Sequence, residues 1–134
     1  SGKDHAILVP GLLRLGRVHK SAERIDEALR TLQRGLAIAE RAHGTHDLAV
    51  VPLLEELCSL RATDGPTEQL EPLVERYLKC HVRAYGNQSE ELSQAQDQAA
   101  EWYRVAGKET RAQELNEQAL SLREMSMHVF GELM

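Results

Sequence analysis

Residues 48–60, LAVVPLLEELCSL, repeat the pattern of an earlier stretch of the chain, residues 6–18, AILVPGLLRLGRV. Both stretches contain a Val-Pro pair, and a leucine follows two residues after the proline. The two prolines, Pro10 and Pro52, lie 42 residues apart. If the rest of the chain shares this offset, it consists of one unit that is copied along the sequence.

The same offset relates residues throughout the chain. The matches include Gly44 with Gly86, Gly65 with Gly107, Leu15 with Leu57, Val18 with Leu60 and Trp102, and Leu36 with Leu78 and Leu120. Because random coincidences would scatter over many offsets, a common offset predicts a repeat protein. The predicted copies cover about 4–44, 45–86 and 87–131 of a single domain.

The composition favours helices. The chain has 134 residues, of which 42% are hydrophobic, 28% are charged and only 4% are aromatic. Alanine, leucine, glutamate, glutamine and arginine dominate, and these residues form helices readily. Isoleucine, valine and phenylalanine are too scarce for a sheet. We therefore predict an all-α domain.

Each copy is predicted to form two helices. The first helices cover 6–20, 48–63 and 89–106. The second helices carry apolar residues at steps of three and four, as a half-buried helix requires. These stripes are Ile25, Ala28, Leu29, Leu32 and Leu36 in the first copy, Leu70, Leu73, Val74, Tyr77 and Leu78 in the second, and Ala112, Leu115, Ala119 and Leu120 in the third.

Residue types mark the turns between the paired helices. Gly65 and Gly107 suit the left-handed conformation that often ends a helix. The first copy has Glu23 at this position, so we expect a different turn there, with Ser21 capping the second helix. The two repeat-related prolines predict a short first turn, followed by a kink or by the start of the regular helix.

Three segments resemble tetratricopeptide repeats (TPR) of the 42-residue kind found in kinesin light chains. Residues 44–60, GTHDLAVVPLLEELCSL, match the opening of that repeat. Residues 99–122, AAEWYRVAGKETRAQELNEQALSL, match its remainder, and residues 27–44, EALRTLQRGLAIAERAHG, match its closing helix. The resemblance implies a TPR-like solenoid, an α-α superhelix of three helical hairpins with six main helices. In that family, the first helices line a concave surface that binds proteins or peptides.

This chain departs from the family where kinesin light chains place an asparagine that contacts cargo peptides. Leu13, Glu55 and Asp97 occupy these positions, so the same amide contacts are not expected. The concave surface remains the candidate site, basic at its N-terminal end and acidic further on, although such charged faces are also typical of solvated helices. The predicted partner-binding residues are Leu13, Arg17, Lys20, Glu55, Ser59, Gln94, Asp97, Glu101 and Arg104.

The C-terminal segment is a second candidate surface. Met125, Met127, Phe130 and Met134 place apolar side chains near the end of the chain, and flexible methionines suit adaptable contacts. Either this surface mediates self-association into a homo-oligomer, or residues near Phe130 fold back as core. A third hypothesis is a regulatory, peptide-sensing domain of a larger protein.

The chemistry of the sequence predicts a protein that is not an enzyme and binds neither cofactor nor metal. His43, His46 and Asp47 lie close together but fall in the linker between copies, without a further ligand motif. The net charge of −5 and the absence of a Lys/Arg cluster argue against nucleic acid as a partner. No apolar run is long enough for membrane insertion.

Cysteine usage bears on the cellular compartment. Cys58 and Cys80 are predicted to be buried thiols in a reducing environment, which favours a cytoplasmic location. The N-terminus lacks the layout of a signal peptide. Ser1 and Gly2 resemble residues left by an expression tag, so a removed signal peptide stays an open alternative.

Overall fold

The computed structural model describes the backbone of residues 5–133 and the side chains of residues 5–127. This part of the chain contains no strand, so the predicted all-α fold is confirmed, with six main helices. They are α1 (Val9–Ser21), α2 (Ile25–His43), α3 (Val51–Thr63), α4 (Leu70–Tyr85), α5 (Glu90–Val105) and α6 (Glu109–Leu133). Within residues 5–133, none of them combines the length and the apolar character that crossing a membrane requires.

The helices α1 and α3 begin in the same way. Each follows a 3-10 turn, Ala6–Leu8 or Leu48–Val50, and each carries its proline in the first helical turn. A proline at this point removes an N–H group that has no partner within the helix in any case. The predicted short first turn is therefore present, and the regular helix starts at the Val-Pro pair.

The turn of the first helix pair, α1 and α2, resembles that of the third, α5 and α6, although only the third contains glycine. Gly107 has φ 82° and Glu23 has φ 61°, both left-handed. In both turns this residue donates its N–H to the carbonyl three residues earlier, at 3.0 Å. The expected different turn is wrong because Glu23 itself adopts the left-handed conformation. Ser21 is the last residue of α1, and Arg24 occupies the cap position of α2 without a side-chain cap.

Consecutive helices contact each other along the whole described chain. We call α1 and α2 the first hairpin, α3 and α4 the second, and α5 and α6 the third. Contacts of α2 with α3 and of α4 with α5 join each hairpin to the next, and the first helices also touch in order, α1 with α3 and α3 with α5. One core runs through all three hairpins, because each covers apolar residues that its neighbour cannot cover alone.

The predicted stripes of the second helices supply much of this core. Ala28, Leu32, Leu70, Val74, Ala112, Leu115 and Ala119 are completely buried. Leu120 is 53% exposed, so its prediction as a buried residue is wrong. The equivalent Leu36 is buried and Leu78 packs against the core, where the next hairpin follows. Among the described residues, no further hairpin follows α6 to cover Leu120.

Two glycines allow neighbouring helices to approach closely. A Cβ atom added to Gly16 of α1 would lie 2.5 Å from Cδ2 of Leu32 in α2. A Cβ atom added to Gly35 of α2 would lie 3.0 Å from Cδ2 of Leu53 in α3. Gly16 therefore fixes a contact within the first hairpin, and Gly35 a contact between the first and second hairpins.

Both cysteines are buried free thiols, as predicted. Burial raises the pKa of the Cys58 thiol, and the nearby Glu55 raises it further. Burial also raises the pKa of Cys80, against the opposing effect of Arg76. Because the thiolate is the reactive form, both side chains are inert packing residues at neutral pH.

Candidate protein-binding surfaces

The predicted site residues occupy equivalent positions on the first helices of the hairpins. Because α1 contacts α3 and α3 contacts α5, each set of equivalent residues crosses three neighbouring helices. The sets are Leu13, Glu55 and Asp97; Arg17, Ser59 and Glu101; and Lys20 and Arg104, with Ala62 between them. Their surroundings differ from helix to helix, and these differences decide which of them are available to a partner.

Arg17 and Lys20 of α1 share one carboxylate of α3. Nε of Arg17 donates to Oε1 of Glu56 at 3.2 Å, and Nζ of Lys20 donates to Oε2 at 2.5 Å. The Glu56 side chain is only 14% exposed, whereas Arg17 stays 54% exposed. The predicted basic end is therefore partly neutralised by Glu56, and Arg17 is its most accessible cation.

Asp97 and Arg104 of α5 are joined to α6. Oδ1 of Asp97 accepts from Nδ2 of Asn116 at 2.9 Å, and its other oxygen accepts from Arg123. Nη2 of Arg104 donates to Oδ1 of Asn116 at 2.7 Å, and its Nη1 donates to Glu101 at 3.3 Å. We call Asp97, Arg104, Asn116 and Arg123 the polar network. It directs two of the predicted site residues towards the partner helix of their own hairpin.

The remaining predicted residues differ in accessibility. Leu13 is half-buried and packs against the core, so it contributes little to a binding surface. Partial burial raises the pKa of the Glu55 carboxyl, although the nearby His81 opposes the shift. Ser59 is half-buried and Gln94 is exposed. Arg17, Glu55, Ser59, Gln94 and Glu101 are therefore the predicted residues best placed to meet a partner.

The structure also exposes an apolar surface that we did not select from the sequence. Leu8, Leu15 and Val18 lie on one side of α1 and the turn before it, and they are 40–55% exposed. Together with Gly11 we call them the outer strip of α1. Their equivalents at the 42-residue offset are at most 6% exposed: Val50, Leu53, Leu57 and Leu60 in the second hairpin, and Leu92, Ala95, Ala99 and Trp102 in the third.

The signal for this strip was present in the sequence. Leu15 matches Leu57, and Val18 matches Leu60 and Trp102. These matches identify a face that other copies bury, but a pattern alone does not show which copy lacks a neighbour on that side. Only the arrangement of the helices shows that, in the described part of the chain, this face is covered in the second and third hairpins and exposed in the first.

The predicted C-terminal surface is visible in part. Met125 and Met127 are exposed. Phe130 and Met134 lie outside the residues whose side chains the structure describes. Met127 follows Leu120 by seven residues and so shares its side of α6, whereas Met125 points to another side.

Aromatic side chains join the second and third hairpins. The rings of Tyr77 and Trp102 meet edge to face, with their centroids 4.9 Å apart. The His81 ring lies 4.6 Å from the Tyr77 ring. Trp102 is therefore a packing residue between α4 and α5, at the position that Val18 occupies in the first copy.

Two cavities of the described chain lie at the third hairpin, and no predicted partner-binding residue lines either of them. One of them, about 520 Å³, is lined by Asn87, Gln96 and residues of α6. A second, about 280 Å³, lies between the start of α5 and the later part of α6, and its lining includes Ser93, Arg123 and Met127. Within the residues that the structure describes, no group of three or more His, Cys, Asp and Glu side chains could hold a metal ion.

Comparison with known proteins adds no family to these observations. No family model matches the chain, and no curated protein matches it at a significant level. The resemblance to tetratricopeptide repeats therefore stays a prediction from the residues themselves.

Proposed function

We propose that this chain is a non-catalytic protein-binding module. In this proposal the three hairpins form a TPR-like superhelix, and a protein or peptide partner binds on the concave side lined by α1, α3 and α5. The 42-residue offset and the ordered contacts among these three helices support the arrangement. The accessible polar residues at equivalent positions of these helices support the choice of surface.

The observation that carries the proposal is the row formed by Arg17, Ser59 and Glu101. These residues occupy one position in three neighbouring helices, and the side chains of Arg17 and Glu101 are 54% and 60% exposed. Packed helices lie about 8–10 Å apart, so the row would extend roughly 16–20 Å. An extended segment of about five or six residues has this length.

The charge changes sign along this row, from Arg17 on α1 to Glu101 on α5. A partner segment with a carboxylate opposite α1 and a cation opposite α5 complements it. Each end already has an ion pair, with Glu56 and Arg104 respectively. The pair of Glu101 with Arg104 is exposed and contributes only about 0–1 kcal/mol, so a partner can replace it at small cost. The carboxylate of Glu56 is mostly buried, and it keeps Lys20 as its partner when Arg17 turns to the ligand.

A site-specific crosslink tests the surface. A photo-crosslinking residue at Ser59 should capture a partner in cells, whereas the same residue at Gln33, exposed on α2, should not. Equal capture from the two positions would contradict a site on the first helices.

Charge reversal tests the row once the partner is purified. Arg17→Glu combined with Glu101→Lys should weaken binding about tenfold or more, because both ends of the row then repel the partner. Arg30→Glu, at a 70% exposed arginine of α2, is the matched control and should leave the affinity unchanged. An unchanged affinity in the double variant would refute the proposed orientation of the partner.

A further inference from the structure

The outer strip of α1 has the character of a junction between hairpins. In the second hairpin, the equivalent Leu53 packs on Gly35 of the preceding α2. In the third, the equivalent Trp102 packs on Tyr77 of the preceding α4. This side of a first helix therefore meets the second helix of the preceding hairpin wherever one is present.

The third hairpin carries the other half of such a junction. Leu120 of α6 is equivalent to Leu36 and Leu78, which pack into the core where the next hairpin follows. Leu120 is 53% exposed, and Met127, two turns later on the same side of α6, is 74% exposed. The described chain thus exposes one surface of such a junction on α1, in its first hairpin, and the complementary surface on α6, in its last hairpin.

The two end hairpins also carry opposite charge. Residues 5–44 contain seven Lys/Arg and four Asp/Glu, whereas residues 87–131 contain four Lys/Arg and eight Asp/Glu. Arg14 is exposed beside Val18, and both line one shallow depression of α1. Glu124 is exposed one turn after Leu120 on α6. Opposite charges around two apolar patches favour their association and fix its direction.

We propose that copies of this chain associate head to tail, with the outer strip of α1 of one copy packed against the Leu120 and Met127 side of α6 in the next. The contact between copies reproduces the contact between consecutive hairpins within one copy. Such a contact joins two different surfaces, so each added copy presents a new open end and association continues beyond the dimer.

The polar network is compatible with this contact. Asn116 occupies the position of Leu32 and Val74, which are completely buried, Leu32 against Gly16 of its own hairpin. Its amide nitrogen donates to Asp97 and its amide oxygen accepts from Arg104. Covering Asn116 therefore leaves neither amide group without a hydrogen-bond partner.

Sedimentation of the purified chain tests the association. The average mass should rise above 15.0 kDa with protein concentration, and the rise should weaken at high salt because the charges are then screened. Leu15→Glu combined with Val18→Glu should prevent packing on the α1 strip, and Leu120→Glu should prevent packing on the α6 surface. Each variant alone should be monomeric, with the dissociation constant raised about a hundredfold or more, because a carboxylate would be buried without a partner.

Mixing the two variants gives the sharpest result. The Leu120→Glu variant keeps an intact α1 strip, and the variant with Leu15→Glu and Val18→Glu keeps an intact α6 surface. An equimolar mixture should therefore form a dimer and nothing larger. Val82→Glu is the matched control, since Glu40 and Glu124 occupy its position in the other copies and its side chain is 38% exposed. It should associate like the unaltered chain, and circular dichroism should show native helix content for all variants.

Two outcomes would overturn the proposal. An unaltered chain that stays monomeric up to about 1 mM would show that a second copy does not cover the strip. Undiminished association of the Leu120→Glu variant would show that copies associate without the α6 side. Both results are independent of the concave-side proposal, whose crosslinking position is Ser59 on α3.

Discussion

Replacing Gly16 by alanine should destabilise the protein, although alanine is the better helix former. Gly16 lies in the interior of α1, where the change from glycine to alanine contributes about 0.5–1 kcal/mol of stability by itself. The added Cβ atom, however, would lie 2.5 Å from Cδ2 and 2.6 Å from Cγ of Leu32. The Cγ atom is not the flexible end of the Leu32 side chain, so a slight shift of its tip cannot relieve this contact.

The expected net effect follows from these two contributions. Overpacking of a core costs about 1–3 kcal/mol, so Gly16→Ala should lower the free energy of unfolding by up to about 2.5 kcal/mol after the helix gain is subtracted. For a chain of this length, this corresponds to a decrease in Tm of up to about 9 °C.

Two other glycines provide matched controls for the same substitution. A Cβ atom on Gly11, in the first turn of α1, meets nothing within 4 Å, so Gly11→Ala should be neutral or stabilising. On Gly35 the nearest atom, at 3.0 Å, is the terminal Cδ2 of Leu53, which can shift slightly, so an intermediate effect is expected. Thermal and urea unfolding of the three variants should rank them Gly11, Gly35, Gly16 in decreasing stability. Equal stability of the Gly16 and Gly11 variants would refute the close contact between α1 and α2.

Three further predictions concern turns, caps and buried thiols. Glu23→Gly should stabilise the chain by about 0.5–1 kcal/mol, because glycine adopts the left-handed conformation without strain. For the same reason, Gly107→Ala should destabilise the chain by about 1 kcal/mol. Urea unfolding measures both changes. Ser89→Ala should lower the free energy of unfolding by about 1 kcal/mol in the same assay, because the Ser89 hydroxyl accepts a hydrogen bond from the Leu92 N–H at 3.0 Å at the start of α5. Ser126→Ala, on the exposed surface of α6, is the control. The pKa of the Cys58 thiol is raised in the folded state, so its contribution to stability is complete below the unfolded pKa of about 8.5 and is lost as the pH rises above that value. Unfolding from pH 7 to 10 should therefore show a smaller alkaline loss of stability in Cys58→Ala than in the unaltered chain, and an equal loss would contradict burial of this thiol.

Local sequence features predicted the helices because each was encoded within a few residues. The Val-Pro pairs marked the starts of α1 and α3, and Ser89 marked the start of α5. The turn at Glu23 was missed because residue type only biases backbone conformation. The surrounding hydrogen bonds hold a non-glycine residue in the left-handed region at a cost of about 1–2 kcal/mol.

Long-range pairing was the part of the candidate site that the sequence could not supply. The predicted charges of Arg17 and Asp97 were read from the first helices alone. Their ion-pair partners, Glu56 and Arg123, are 39 and 26 residues away in sequence. The offset identified equivalent positions correctly, but it did not show that Asp97 faces α6 whereas Arg17 remains half exposed.

The two proposed surfaces can act independently because α1 presents them on different sides. Arg17 and Val18 are consecutive residues, so their side chains point about 100° apart around the helix axis. One belongs to the row across the first helices, and the other belongs to the strip that would meet a second copy. Head-to-tail packing would thus extend the row of first helices from one copy into the next. In such an assembly, the number of first helices available to a partner would grow with each added copy, so that association would increase the avidity for a long or repeated ligand.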